Sequence, residues 1–345
     1  MNFPKVSVVV LNYNTKKLLS DFLPFLIKTD YPNLEIVVAD NASNDGSAQF
    51  VLENYPSIKV IEMKENLGFA GGYNAALKQV NSPYYVLLNS DVEVPSNWLS
   101  NMMNLMLSQP DIAAIQPKIK DLNNRDSFEY AGAAGGFLDK YAYPFCRGRM
   151  FDNLEIDSGQ YDTDKQVFWA TGAALLVKSD IYHELGGLDE DFFAHMEEID
   201  LCWRIKNAGY EVWVSGASHV YHLGGGTLDA QSSRKTFLNF RNNLILITKN
   251  AKTSEAVKML FARLFLDGIA GTKFVLSGKL GSMLAIVKAH WTFFARFRYY
   301  WNKRKLVPIQ KPLAQHVGYF DDSIVKQYFL KGVTKFDALK KPPVQ

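Results

Sequence analysis

VSVVVLNYN, residues 6–14, sets five aliphatic residues into six positions and then stops on Asn12-Tyr13-Asn14. The run is too short for a membrane span or a long helix, and it does not alternate, so it reads as a strand buried on both faces over Val6–Leu11. The same pattern returns downstream. EIVVAD (Glu35–Asp40) reads as a second strand, Lys59–Met63 as a third and YYVLLN (Tyr84–Asn89) as a fourth. Between them, helical periodicity marks Lys16–Lys28, Ser47–Tyr55 and Ala70–Val80. Strands alternating with helices predict a parallel sheet, joined by right-handed crossovers and covered on both faces. The expectation is a doubly wound α/β fold.

Such sheets bind ligands beyond the carboxyl ends of their strands. Here those ends are polar: Asn12-Tyr13-Asn14, Asp40-Asn41, Asn66 and Asn89-Ser90-Asp91. Any one of these triplets would make a good turn, but four in succession favour a site. No GxGxxG follows the first strand, and no Walker loop occurs. A carboxylate-held divalent cation is then the usual means of handling phosphates, and Asp91 is its candidate ligand.

Farther along, residues 91–165 mix helix with a polar and aromatic stretch expected to form loops or an irregular hairpin. Val167–Val177 reads as a strand, Glu197–Ala208 as a helix, Glu211–Ser215 as a strand and Arg234–Asn250 as a long helix. Val307–Pro312 separates a last helical unit, Asp321–Leu330. Hydrophobic residues are 48% and charged residues 21% of the 345, as in folded globular proteins. Two cysteines, Cys146 and Cys202, build no disulfide framework, in keeping with a reducing compartment. No secretory signal or transmembrane stretch is legible, so a cytoplasmic protein is expected.

The motifs VSVVVLNYN, VVADNASNDGS, NLGFAGGYNAAL, LLNSDVEV, WATGAALLV and GGLDEDFFAHMEEIDLCWR occur in that order. Together they resemble the family-2 inverting glycosyltransferases of the GT-A fold, the rhamnosyltransferase-like branch in particular, over about residues 5–245. The resemblance implies an enzyme that moves a sugar from a pyrimidine nucleotide-diphosphate donor (dTDP- or UDP-sugar) to a hydroxyl of a glycan or lipid-linked acceptor. It implies donor contacts at Asn12, Tyr13, Asn14, Asp40, Asn66, Gly71, Asn89 and Arg241. Asp91 and His222 would hold Mg²⁺ or Mn²⁺, and Trp169 and Asp189 would line the acceptor. The organisation that follows is a GT-A domain over 1–250, with a nucleotide-binding half at 1–91 and an acceptor and catalytic half at 92–250. A basic amphipathic helical appendage occupies 251–345.

Inversion requires a general base for the acceptor hydroxyl, and Glu197-Glu198-Ile199-Asp200 supplies three acids. On a helix Glu197 and Asp200 share a face, whereas Glu198 points elsewhere. Family members commonly carry Glu-Asp where this chain has Glu197-Glu198, and the second acid is the expected base. Acids in a first helical turn also complement the helix dipole, so Glu198, Glu197 and Asp200 all stand as candidates. Gly224-Gly225-Gly226 after His222 suggests a loop that closes over bound donor.

Residues 252–305 hold eleven Lys and Arg against Glu255 and Asp267, interleaved with Phe, Tyr, Trp and Leu. That composition suits the interface of an anionic bilayer at the inner face of the cell membrane; a dimer surface is the competing reading. No nucleic-acid motif accompanies the charge. Two other functions fit the same residues. A processive polysaccharide synthase is disfavoured by QSSRK at Gln231–Lys235, which only partly resembles QxxRW. A catalytically silent sugar-nucleotide-binding or scaffold protein stays open because Glu198 and the Asn89 triplet depart from the family pattern.

Overall fold

The computed structural model describes residues 3–224, 232–308, 310–339 and Pro343. Its first part follows the sequence closely: β1 (Val6–Asn12), α1 (Lys16–Leu26), β2 (Leu34–Asp40), α2 (Ser47–Asn54), β3 (Lys59–Glu62), α3 (Gly68–Leu77) and β4 (Tyr84–Asn89). β1 pairs in parallel with both β2 and β4, and β2 with β3. Register places Asn12 opposite Asp40 and Leu11 opposite Asn89. The polar strand ends therefore lie along one edge, as the alternating pattern requires.

After β4 the chain runs through β5 (Val92–Glu93), α4 (Trp98–Ser108) and β6 (Ile112–Asp121). The stretch expected to form loops or an irregular hairpin forms short antiparallel strands: β7 (Gly136–Asp139), β8 (Pro144–Cys146), β9 (Arg149–Met150) and β10 (Asn153–Leu154). Their turns rest on left-handed residues such as Gly148 (φ 89°), where backbone freedom rather than apolar periodicity makes the hairpin. β11 (Lys165–Gln166) and β12 (Ala174–Lys178) replace the single strand expected over Val167–Val177. There follow α5 (Ser179–Glu184), α6 (Glu197–Asn207), β13 (Glu211–His222) and α7 (Ser233–Asn250).

The central sheet runs β11-β13-β6-β12-β4-β1-β2-β3, with β5 paired to β13. β12 lies antiparallel between β4 and β6. It is the point where the parallel half around β1 meets the pair β6–β13, itself parallel. Apolar cores cover both faces: Leu19, Trp98 and Met102 on one side, Tyr73, Phe192 and Trp203 on the other.

The C-terminal part holds α8 (Thr253–Leu276), α9 (Leu280–Ala295), α10 (Phe297–Asn302), β14 (Tyr319–Phe320) and α11 (Ile324–Lys331). Expected as an appendage, it is joined to the rest by shared core. β14 adds to β7 as the edge of the sheet β10-β9-β8-β7-β14. Phe336 packs on Phe137 and Phe145 with ring centroids 4.8 and 6.2 Å apart. The Arg304 guanidinium reaches back to the carbonyl of Ala251 at 2.8 Å.

Candidate active site

At the edge expected to take the donor, Asn12 is wholly buried and donates through Nδ2 to Asp40 Oδ1 and Ser47 Oγ, both at 2.7 Å. The Ser43 amide donates to Asp40 Oδ2 at 2.9 Å. Asp40 is thus fixed at the strand end, and a carboxylate with four lone-pair directions still has room for one more donor. Asn14, in the left-handed region at φ 54°, accepts from the Asn44 amide at 2.8 Å and braces the same loop. Tyr13 is exposed beside it. Asn66 Oδ1 accepts from Asn41 Nδ2 at 3.0 Å and from the Gly68 amide at 2.9 Å, tying β2 to the start of α3. A Cβ on Gly71 would lie 3.0 Å from Leu67 Cβ, and one on Gly72 would lie 2.8 Å from Leu11 Cδ1. Close packing of helix on loop and sheet accounts for both glycines. The expected Gly224–Gly226 loop lies, from Gly225 onward, outside the described residues.

Asp91, one residue before β5, and His222, the last residue of β13, meet across that strand pair. His222 Nε2 lies 3.1 Å from Asp91 Oδ1, and Asn89 Nδ2 stands 3.5 Å from the same nitrogen. The other ring nitrogen, Nδ1, lies 3.1 Å from Glu129 Oε2. Burial opposes a charged ring here, yet hydrogen bonds to Asp91 and Glu129 outweigh it and push His222 up to about 10. Glu129 was not singled out from the sequence: it lies in an aromatic stretch with no motif, and only the fold brings it to the histidine. A carboxylate on the far nitrogen of a ligating histidine fixes ring and tautomer. Among the described residues, no three His, Cys, Asp or Glu side chains converge as a closed metal cage. Asp91 and His222 are the residues that would hold a divalent cation, whose remaining ligands would have to come from outside the protein side chains.

The three acids of α6 separate sharply. Asp200 is fully buried and paired with Arg204 and Lys249, each at 2.8 Å. Burial alone would raise its pKa; Arg204 and Lys249 hold it below the usual range. Glu197 is buried with Oε2 unpartnered among the described residues, and burial together with Glu198 holds its carboxyl well above the usual range. Glu198 is half-buried, Oε2 is likewise without a partner, and burial pushes its pKa up to about 7 against the opposing pull of amides at the start of α6. A Cβ built on Gly172 would lie 3.7 Å from Glu198 Cβ. The next carbonyl, that of Ala173, accepts from the Asn89 amide at 3.0 Å. Glu198 therefore stands across one glycine from the strand end that leads to Asp91.

The turn before α6 is strained, with Phe193, His195 and Met196 at φ 64°, 68° and 76°. Asn242 Nδ2 holds it by donating to the carbonyls of Phe192, Ala194 and His195 at 2.7–3.0 Å. Arg241 Nη2 donates to the carbonyls of Asp191 and Phe192 at 2.9 and 3.1 Å, so this arginine ties α7 to the turn. Asp189 is paired with Lys249 and Lys303 at 2.8 and 2.6 Å. Trp169 is buried and donates through Nε1 to the Phe137 carbonyl at 3.1 Å. These three side chains, expected near phosphates or acceptor, are occupied with protein groups.

Residues 7–161 match the family described as Glycosyl transferase family 2. Among curated proteins, the chain is 24% identical over 236 residues to N-acetylglucosaminyl-diphospho-decaprenol L-rhamnosyltransferase of Mycobacterium tuberculosis, covering 64% of this chain and 76% of that one. It is 22% identical over 254 residues to the low-salt glycan biosynthesis hexosyltransferase Agl10 of Haloferax volcanii, covering 70% and 74%. Its fold is similar to that of the mannosyltransferase PcManGT from Pyrobaculum calidifontis in complex with GDP-Man and Mn²⁺, with TM-score 0.53, 18% identity and coverage of 89% and 85%. It is similar also to S. aureus TarS 1–349 in complex with UDP-GlcNAc, with TM-score 0.56, 18% identity and coverage of 88% and 90%.

Proposed function

The chain is a family-2 glycosyltransferase on a GT-A-like fold with C-terminal helices, and from that premise we propose an inverting transfer from a dTDP- or UDP-sugar to a hydroxyl of a glycan or lipid-linked acceptor, with Glu198 as base. The observation that carries this reading is the Glu198 carboxylate, its Oε2 buried without a partner among the described residues, held near 7 and set across Gly172 from the Asn89–Asp91 strand end. In its ionised form it takes the proton of the acceptor O–H. That oxygen forms its bond to the anomeric carbon as the bond to the nucleoside diphosphate breaks with the electron pair. Such a base contributes about 10²–10⁴-fold.

Asp91 and His222 would hold the divalent cation, with Glu129 orienting the histidine. When bound, the ion offsets charge on the departing diphosphate. Tyr13 offers an exposed ring to the base, and Asp40 offers an acceptor oxygen to a pyrimidine ring N–H. The lipid-linked acceptor is suggested by the mycobacterial relative, whose name specifies a diphospho-decaprenol substrate. Association with the inner membrane face is supported by α8 and α9, which expose Phe261, Phe265, Leu284 and Trp291 among their lysines. Among the described residues, no helix is long and apolar enough to cross a membrane.

Mn²⁺ with UDP or dTDP is expected to raise the melting temperature of the wild type by several degrees, and that of Asp91→Ala by much less. Equal shifts in both proteins, or none in the wild type, would refute the donor site.

A further inference from the structure

Arg149 on β9 is only 9% exposed, yet its Nε and Nη1 find no hydrogen-bond partner among the described residues. Nor does it form an ion pair among them. A buried guanidinium left this way is costly, and proteins rarely keep one without a ligand or a function. Its plane lies on the ring of Tyr130, with Cζ 3.7 Å from the centroid. Lys235 Nζ stands 5.4 Å from the same centroid. Tyr130 is half exposed, so the cluster opens to solvent at that ring.

Glu129 is next to Tyr130 in sequence, but its Oε2 already accepts from the Ala131 amide at 2.5 Å and faces His222 Nδ1. Glu129 also favours the charged form of Arg149, but no hydrogen bond or ion pair joins the two among the described residues. The donor diphosphate, if carried at Asp91 and His222, has its own counter-charge there. Arg149 stands instead on the small sheet of the acceptor half. His195, whose Nε2 is buried without a partner among the described residues, lies close enough to Lys235 to feel its charge.

Building on the glycosyl-transfer reading, we infer that Arg149, backed by Tyr130 and joined by Lys235, binds a phosphate group carried by the acceptor. The planar fork of an arginine matches two oxygens of a phosphate, and the aromatic face holds the fork in place. A lipid diphosphate and a sugar phosphate present the same chemistry to this site.

The test measures binding to the full chain by calorimetry in EDTA, with inorganic pyrophosphate, farnesyl diphosphate and farnesol as probes. UDP with Mn²⁺ is measured separately. Pyrophosphate should bind the wild type, at least about tenfold more weakly to Arg149→Gln and about threefold more weakly to Lys235→Gln. It should bind Asp91→Ala as it does the wild type, and UDP with Mn²⁺ should bind Arg149→Gln unchanged. Farnesol should not bind; farnesyl diphosphate binding more tightly than pyrophosphate assigns the phosphate to a lipid, and equal affinity assigns it to the phosphate alone. Wild-type affinity for pyrophosphate in either basic variant would overturn the inference, and Lys235→Gln decides the matter if Arg149→Gln does not fold. So would an equal loss of UDP–Mn²⁺ binding in Arg149→Gln, which would give Arg149 to the donor. Failure of UDP–Mn²⁺ to bind the wild type, with the pyrophosphate pattern intact, refutes the donor reading and leaves the phosphate site standing.

Discussion

Glu198 and Asp200 sit two residues apart on one helix and meet opposite surroundings. Asp200 lies between Arg204 and Lys249, and Asn250 Nδ2 donates to its other oxygen at 2.7 Å. Glu198 has no such partner among the described residues. Spacing on a helix places Arg204 one turn from Asp200, but it does not show Lys249, which comes from α7, some fifty residues on. Asp200 and Asp189 therefore belong to a buried charge cluster that holds α6, α7 and the 189 turn together. Removing one member leaves its partners uncompensated, so Asp200→Asn should lower unfolding stability by about 3 kcal/mol, measured by denaturant titration. Both aspartates have pKa values held down in the folded state. Their stabilisation is present above the unfolded carboxylate range near about 4 and is lost as pH falls below it. The stability difference between Asp200→Asn and wild type should then shrink in acid; a difference unchanged between pH 7 and pH 3 would contradict the cluster.

At the scale of elements, β1 to β4 and their helices were legible because each strand is a short continuous aliphatic run and each helix has its own period. Their polar ends were legible too, and the register aligns them along one edge. The small sheet was not legible. Strands of two to four residues such as Arg149–Met150 carry no periodicity, and their turns depend on left-handed residues, including the non-glycine Ala133, Ala142 and Phe151. With that sheet hidden, Glu129 and Arg149 had no visible context. Arg241-Asn242 was legible as a pair of interest, but its partners are carbonyls of a strained turn, and carbonyls leave no trace in a side-chain pattern. The strain at Phe193, His195 and Met196 is sustained by Asn242 and delivers α6, and with it Glu198, to the edge of the central sheet.

The whole molecule combines the sheet edge built by β1 to β4, where we place the donor, with a second part built from β6 to β14, where we place the acceptor. The C-terminal chain threads back into that second part, so truncation after residue 251 would strip Phe320 and Phe336 from the core rather than remove a detachable tail. Membrane association is better tested by surface changes on α8 and α9. Phe265 and Trp291 are 71% and 76% exposed, and a double substitution Phe265→Ser, Trp291→Ser should cut partition onto anionic liposomes by about tenfold or more. Unchanged partition in a sedimentation assay would show that these helices face something other than lipid. The central claim, that Glu198 takes the acceptor's proton, is most directly tested by the single-turnover transfer rate of Glu198→Gln with nucleotide binding measured in parallel. The account predicts intact UDP–Mn²⁺ binding and a rate lower by about 10²–10⁴-fold, with the wild-type rate falling as pH drops below about 7, where burial sets the Glu198 pKa; near-wild-type transfer by Glu198→Gln, with the loss appearing in Glu197→Gln instead, would contradict it.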